Sequence, residues 1–207
     1  MLFTLPNILT ILRVVMIPVF VILFYYPTPS SNLLAAFFFV LAALTDLLDG
    51  YLARKLQQTS KFGAFLDPVA DKIMVCTALV LIVEYYSVNS RNFIENFSFN
   101  LLVSIPAMVI IAREILVSAL REWMAEIGKR AVVAVSKIGK WKTTIQMIAI
   151  AGLIWRDNHT IIYVSTALLL VATVLTIWSM VIYLKAGIGT MIEPYDKTQV
   201  PAQKDNK

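Results

Sequence analysis

Charge is scarce in this chain. Of its 207 residues only 15% are Asp, Glu, Lys or Arg, against about 25% in ordinary soluble domains. With 59% hydrophobic residues and a mean hydropathy of +0.76, that scarcity excludes a soluble domain and identifies an integral membrane protein. Residues 14–45 carry no charge at all. Cysteine occurs once, as Cys76 in an apolar run, so no internal disulfide can form and the thiol reads as a small core residue. Histidine also occurs once; His159 lies in a polar turn and is expected to be solvated. The start, Met1-Leu-Phe-Thr-Leu-Pro6, lacks the positive n-region and small-residue cleavage site of a signal peptide, so the first hydrophobic run is expected to be kept as a span. Neither an internal repeat nor a low-complexity tract is present.

What is abundant is apolar sequence in segments of membrane-spanning length. They fall at about 5–26, 33–54, 64–86, 101–121, 140–155 and 160–184, where a span needs about 20 residues. These predict an all-α, polytopic membrane protein with six transmembrane helices. Pro27-Thr-Pro-Ser-Ser-Asn32 is expected to be a tight turn, Arg156-Asp-Asn-His159 another, and 88–100 a polar connection. Residues 1–187 form the expected membrane domain and 188–207 a polar cytoplasmic tail whose end is expected to be disordered. The loops at 54–61 and 121–142 and the tail hold thirteen Lys and Arg, the opposite side only Arg91 and Arg156. The positive-inside rule then puts both termini in the cytoplasm. Topology accounts for the basic excess, and no nucleic-acid partner is expected.

Against this background four aspartates stand out. Asp46 and Asp49 end the second segment; Asp67 and Asp71 open the third. A carboxylate at mid-bilayer costs about 3 kcal/mol, so four together cost on the order of 10 kcal/mol. The members of each pair are three or four residues apart, which puts them on one helix face. Asp46 is eight residues from Arg54, about 12 Å of helix, so both pairs belong to the cytoplasmic half, where a soluble substrate can reach them. Convergent carboxylate oxygens suit hard divalent cations. One such ion would leave a net charge of about −2, whereas two balance the site, and a two-metal site stabilises in-line displacement at phosphorus. Gly50 removes a side chain where another group must approach, and Arg54 can fork onto a phosphate. Ser60 and Gly63 belong to the joining loop, and Asp67-Pro68 reads as a helix cap or a kink. The expectation is a metal-dependent enzyme at the membrane surface.

Two other readings of these acids are open. Some could form structural ion pairs with Lys72, Arg54 or Arg113. A divalent-cation carrier or channel also uses intramembrane acids, but it needs polar groups reaching the far side, where the spans offer little beyond Glu84.

The full run is Asp46-Leu-Leu-Asp49-Gly50-Tyr-Leu-Ala53-Arg54, eight residues, then Gly63-Ala-Phe-Leu-Asp67-Pro-Val-Ala-Asp71. It completes the pattern D-x2-D-G-x2-A-R-x8-G-x3-D-x3-D and resembles the signature of the CDP-alcohol phosphotransferases, membrane enzymes of six spans. Pro6-Asn-Ile-Leu-Thr10-Ile-Leu-Arg13 looks like that family's first-helix motif. Arg113-Glu-Ile-Leu-Val-Ser-Ala-Leu-Arg121-Glu and Ser136-Lys-Ile-Gly-Lys140-Trp-Lys142-Thr143-Thr-Ile-Gln146 resemble its bacterial phosphatidylglycerophosphate-forming branch. The resemblance implies transfer of a phosphatidyl group from CDP-diacylglycerol to sn-glycerol 3-phosphate with release of CMP, in the bacterial inner (cytoplasmic) membrane with the active site facing the cytoplasm. It implies two divalent cations, Mg²⁺ or Mn²⁺, on Asp46, Asp49, Asp67 and Asp71, with Asp71 also the general base. Gly50, Arg54 and Ser60, with Asn7 and Thr10, match positions that contact the CDP-lipid headgroup. Membrane lipid and a second copy in a homodimer are the implied partners. Siblings using phosphatidylglycerol (making cardiolipin), serine or inositol phosphate as acceptor stay open.

A glycerol-phosphate acceptor of charge about −2 needs basic groups near the carboxylates. Arg113 lies eight residues from Arg121, hence on the same helix face and directed into the bundle, with Glu114 as a possible partner. Lys140 and Lys142 begin the fifth span beside Gly139. Arg113, Arg121, Lys140 and Lys142 are the candidate acceptor-phosphate ligands; the alternative is that they only enforce topology. Lys72 is expected to snorkel to the interface, Trp123, Trp141, Trp155 and Trp178 to anchor span ends, and Phe37-Phe-Phe39 to pack or face lipid.

Overall fold

The computed structural model describes residues 5–26, 28–55, 61–93, 98–129 and 137–192. Among these every regular element is helical: α1 Leu5–Tyr25, α2 Pro29–Lys55, α3 Lys61–Phe93, α4 Ser98–Glu126, α5 Lys137–Trp155 and α6 His159–Ile192. Three stretches are by themselves long and apolar enough to cross a membrane: Asn7–Tyr25, Phe99–Glu126 and His159–Gly189. In α2 the apolar stretch is Ser30–Asp46 among the described residues, and α3 and α5 carry charges at one end. Even the shortest helix, α5 with 19 residues, is about 28 Å long, close to the roughly 30 Å of a hydrocarbon core.

Several boundaries differ from the sequence expectation for local reasons. The helix α2 starts at Pro29, inside the expected turn. Proline suits a first helical turn, where its missing N–H has no partner to lose, and the Ser31 hydroxyl donates back to the Tyr26 and Thr28 carbonyls at 2.5 and 2.6 Å. Helix α3 runs through Asp67-Pro68, so Asp67 caps nothing, and it continues to Phe93 across half of the expected polar connection. Helix α4 stops in a Schellman turn. Gly128 has φ +73°, its N–H bonds the Ala125 carbonyl, and the Lys129 N–H bonds the Met124 carbonyl. The short turn after α5 is as expected, and Asn158 caps α6 by accepting from the Ile161 N–H at 2.9 Å. Helix α6 extends to Ile192, so residues 188–192 of the expected tail are helical. Residues 193–207 lie outside the described residues.

Helix neighbours close a ring: α1 packs on α2, α2 on α5, α5 on α6, α6 on α4, α4 on α3 and α3 on α1. Its two ends differ in chemistry. The second halves of α1, α3 and α5 meet the first halves of α2, α4 and α6 in a core that includes Phe20, Phe39, Leu79, Ile82, Ile110, Ile150, Leu153 and Leu169. Phe39 is buried there while Phe37 faces outward. Close approach of α5 and α6 depends on Gly152, because a Cβ at that position would overlap the Ser165 hydroxyl. At the other end of the ring lie both aspartate pairs, Arg13, Arg113, Arg121 and Lys142.

Candidate active site

Helix α1 brings Asn7, Thr10 and Arg13 to one face by their spacing of three residues, and all three are buried. Arg13, 1% exposed, stands between the two acids of α2. Its Nη2 donates to Asp49 Oδ2 at 2.5 Å, and its Nη1 lies 2.7 Å from Asp46 Oδ1 in an ion pair. The Thr10 hydroxyl donates to Asp67 Oδ1 at 2.5 Å and lies 3.5 Å from Asp49 Oδ2. Three of the four expected carboxylates therefore converge on two adjacent α1 side chains from two different helices. A lone carboxylate or guanidinium here would be costly; paired, each offsets the other's desolvation.

The fourth acid opens onto a different surface. Asp71 lines a cleft of about 170 Å³ together with Lys72, Arg113, Glu114, Arg121, Thr143, Gln146 and Tyr183. That volume is below the range of drug-sized sites, about 300–1,000 Å³, and suits a small polar molecule. Arg113 is buried and its Nη1 donates to Glu114 Oε1 at 2.6 Å. Lys142, also buried, reaches the same carboxylate oxygen at 3.8 Å. The Arg121 guanidinium lies 5.5 Å from the centre of the Tyr183 ring. Glu114 thus balances part of the charge of two cations, and the cleft stays basic.

The donor set of Asp46, Asp49 and Asp67 consists of hard oxygens and suits a divalent cation chemically. Among the described residues no three acids are spaced to hold one ion, and the Arg13 guanidinium bridges Asp46 and Asp49. A cation entering this site would compete with Arg13 for the carboxylates of α2.

The structure brings together Thr10, Asp46, Asp49 and Asp67 around Arg13, with Asn7 buried one turn before Thr10 on α1, and Asp71, Arg113 and Arg121 around the cleft, with Lys142 near its Glu114. Gly50 and Arg54 lie on α2, beyond Asp49, and Lys140 on the first turn of α5; the side-chain placements of Arg54 and Lys140 fall outside the described residues, as does Ser60 altogether. Lys72 corrects its sequence expectation: it does not snorkel but hydrogen-bonds Ser118 of α4 and lines the cleft. His159 is exposed at the start of α6, as expected. Glu114 pairs with Arg113 as the sequence suggested, whereas sequence reasoning gave Arg13 and Gln146 no part in the site. For Arg13 a signal existed, since it is the last charge before the uncharged run 14–45 and an intramembrane arginine requires a partner. The cation-carrier reading loses its path, because the far end of the ring is filled by the apolar core, and the Thr166 and Thr173 hydroxyls there bond their own helix's carbonyls.

Residues 3–178 match the CDP-alcohol phosphatidyltransferase family. A protein of Haemophilus influenzae is 51% identical over 191 residues, 92% of this chain and 97% of its own length. One of Salmonella typhimurium is 50% identical over 191 residues, 92% of this chain and 98% of its own. One of Pectobacterium atrosepticum is 52% identical over 192 residues, 93% of this chain and 99% of its own. All three carry the name CDP-diacylglycerol–glycerol-3-phosphate 3-phosphatidyltransferase. With a match that spans most of its length, the chain belongs to the CDP-alcohol phosphatidyltransferase family.

Proposed function

We propose that this protein transfers the phosphatidyl group of CDP-diacylglycerol to sn-glycerol 3-phosphate, giving phosphatidylglycerophosphate and CMP. The observation that carries this reading is Asp71: it belongs to the carboxylate set on α2 and α3 and also lines a small basic cleft with Arg113 and Arg121. A proton acceptor beside a phosphate-sized basic cleft is the arrangement that a phosphorylated alcohol requires. The relatives' names specify the same donor and acceptor.

In this mechanism Arg113 and Arg121 hold the acceptor phosphate through charge-assisted hydrogen bonds. Asp71 takes the proton of the acceptor's primary hydroxyl as its oxygen bonds to the phosphorus attached to diacylglycerol; the bond from that phosphorus to the CMP oxygen breaks, and CMP leaves. Gly50, Arg54 and Ser60, with Asn7 and Thr10, contact the CDP-lipid headgroup. Asp46, Asp49, Asp67 and Asp71 would hold two divalent cations, Mg²⁺ or Mn²⁺, whose charge would neutralise the pyrophosphate oxygens. Arg13, which pairs with Asp46 and Asp49, would give up part of that pairing to a bound cation.

All six helices span the bilayer in this reading, with both termini and the site in the cytoplasm, and the protein is a homodimer of the bacterial inner membrane. The length of even the shortest helix and the collection of Lys and Arg at the site's end support that orientation. Membranes containing the protein, supplied with CDP-diacylglycerol and one acceptor at a time, test the function through CMP release. Release with sn-glycerol 3-phosphate is expected. Release only with serine, inositol phosphate or phosphatidylglycerol would replace the acceptor, and no release with any of them would remove the enzyme reading.

A further inference from the structure

The cleft beside Asp71 contains a group that the mechanism above does not use. Gln146 is 3% exposed, lines the cleft, and its amide oxygen has no hydrogen-bond partner in the protein. It lies one turn beyond Lys142 on the same face of α5. Two donors in the cleft are also unpartnered, the Nε atoms of Arg113 and Arg121. The residues that line the cleft thus carry two guanidinium N–H groups and one amide oxygen with no hydrogen-bond partner in the protein.

A bound ligand has to satisfy both kinds of group, because a buried polar atom left unpaired weakens binding. A phosphate dianion accepts hydrogen bonds and has none to give, so it serves the guanidinium groups and cannot serve the amide oxygen. The proton of the attacking hydroxyl is committed to Asp71. What the amide oxygen still needs is a second donor on the same small molecule, between its anionic group and its reactive hydroxyl.

We infer that Gln146 determines acceptor specificity by accepting a hydrogen bond from a second, non-reacting hydroxyl, which restricts the enzyme to phosphorylated polyols. This rests on the function proposed above and adds a residue to it. In sn-glycerol 3-phosphate the group is the secondary hydroxyl at C2. The bond selects the acceptor and leaves the chemistry at the primary hydroxyl unchanged.

The test uses full-length protein in membranes, CDP-diacylglycerol, and two acceptors of equal charge and chain length: sn-glycerol 3-phosphate and 3-hydroxypropyl phosphate, which lacks the C2 hydroxyl. Wild type should prefer the first by roughly 10- to 100-fold in kcat/KM, the size expected for one hydrogen bond whose loss leaves a buried acceptor unpaired. Gln146→Met keeps the length and removes the oxygen, so its preference should collapse to within about threefold of unity. A packing defect would lower both rates together and leave the ratio at its wild-type value. That result overturns the inference, as it would if Gln146 turned its amide nitrogen to the phosphate. Equal use of both acceptors by wild type also overturns it, even if the variant does not fold. Absence of CMP release with either acceptor would instead strike the functional reading itself.

Discussion

Arg13 of α1 and Asp49 of α2 form an ion pair of 2.5 Å in which the side chains are 1% and 3% exposed. The same guanidinium also reaches Asp46, so one cation ties the first helix to the acidic end of the second. Removing one partner of such a pair costs about 3–5 kcal/mol, because the other charge stays buried and uncompensated. Arg13→Met should therefore lower the thermal unfolding midpoint of the detergent-solubilised protein markedly, and Arg13→Lys should recover part of the loss. Unfolding of Arg13→Met at the wild-type temperature would show that Asp49 does not depend on this pair.

The proposed cations lead to a separate expectation. Chelation should abolish CMP release, and excess Mg²⁺ or Mn²⁺ should restore it. Asp46→Asn, Asp49→Asn and Asp67→Asn should each lower turnover by about 100-fold or more, the loss typical of removing one preorganised charge stabiliser. Full turnover in chelator would leave the arginine-bridged carboxylates as a structural feature.

Asp71 occupies the junction between the carboxylate set and the basic cleft. Asp71→Asn keeps the size and removes the proton acceptor, so kcat should fall by about 10² or more. KM for CDP-diacylglycerol should change less. Activity within a few-fold of wild type would remove Asp71 from the role of base.

How much of this site was legible in the sequence follows from how local each feature is. Asp46/Asp49 and Asp67/Asp71 were readable because helix spacing alone puts each pair on one face, and charge in an apolar background is conspicuous. The position of Arg13 between Asp46 and Asp49 depends on how α1 packs against α2, which no spacing encodes. The inward turn of Lys72 depends on a single hydroxyl, Ser118, on another helix. Gln146 was part of a recognised motif, but its unpaired oxygen is visible only once α3, α4 and α6 surround it. The expected six apolar segments correspond to six helices, yet their ends moved where caps decide, at Pro29 and at Gly128.

The basic cleft predicts a split between the two substrates. Arg113→Met and Arg121→Met should each raise KM for sn-glycerol 3-phosphate tenfold or more, by about 1.4 kcal/mol of lost binding. KM for CDP-diacylglycerol should move much less. Arg113→Met also releases Glu114 from its hydrogen bond, so Arg121→Met is the cleaner variant. Equal loss for both substrates would mean that the cleft does not bind the acceptor phosphate.

The opposite end of the bundle holds an arginine with a purely structural task. Arg156 follows α5 with φ +40°, a backbone region that costs a non-glycine residue about 1 kcal/mol. Its guanidinium lies 3.8 Å from the centre of the Tyr85 ring and 4.5 Å from that of Phe24. It also donates to the Asn32 side-chain oxygen at 2.8 Å and to the Phe24 carbonyl at 3.3 Å. One side chain thereby joins α1, α2 and α3 to the turn between α5 and α6. Two cation–π contacts and two charge-assisted hydrogen bonds outweigh the backbone strain. Arg156→Ala should destabilise the protein by about 2–3 kcal/mol, since it keeps the strain and loses the contacts. Arg156→Gly should be less harmful by about 1 kcal/mol, because glycine adopts positive φ freely. Both should leave kcat/KM per folded molecule unchanged, since Arg156 lies far along α5 from Lys142 and Gln146. Denaturation midpoints that rank alanine and glycine the other way would show that the turn is not strained, and lost turnover in folded protein would show that this end communicates with the site.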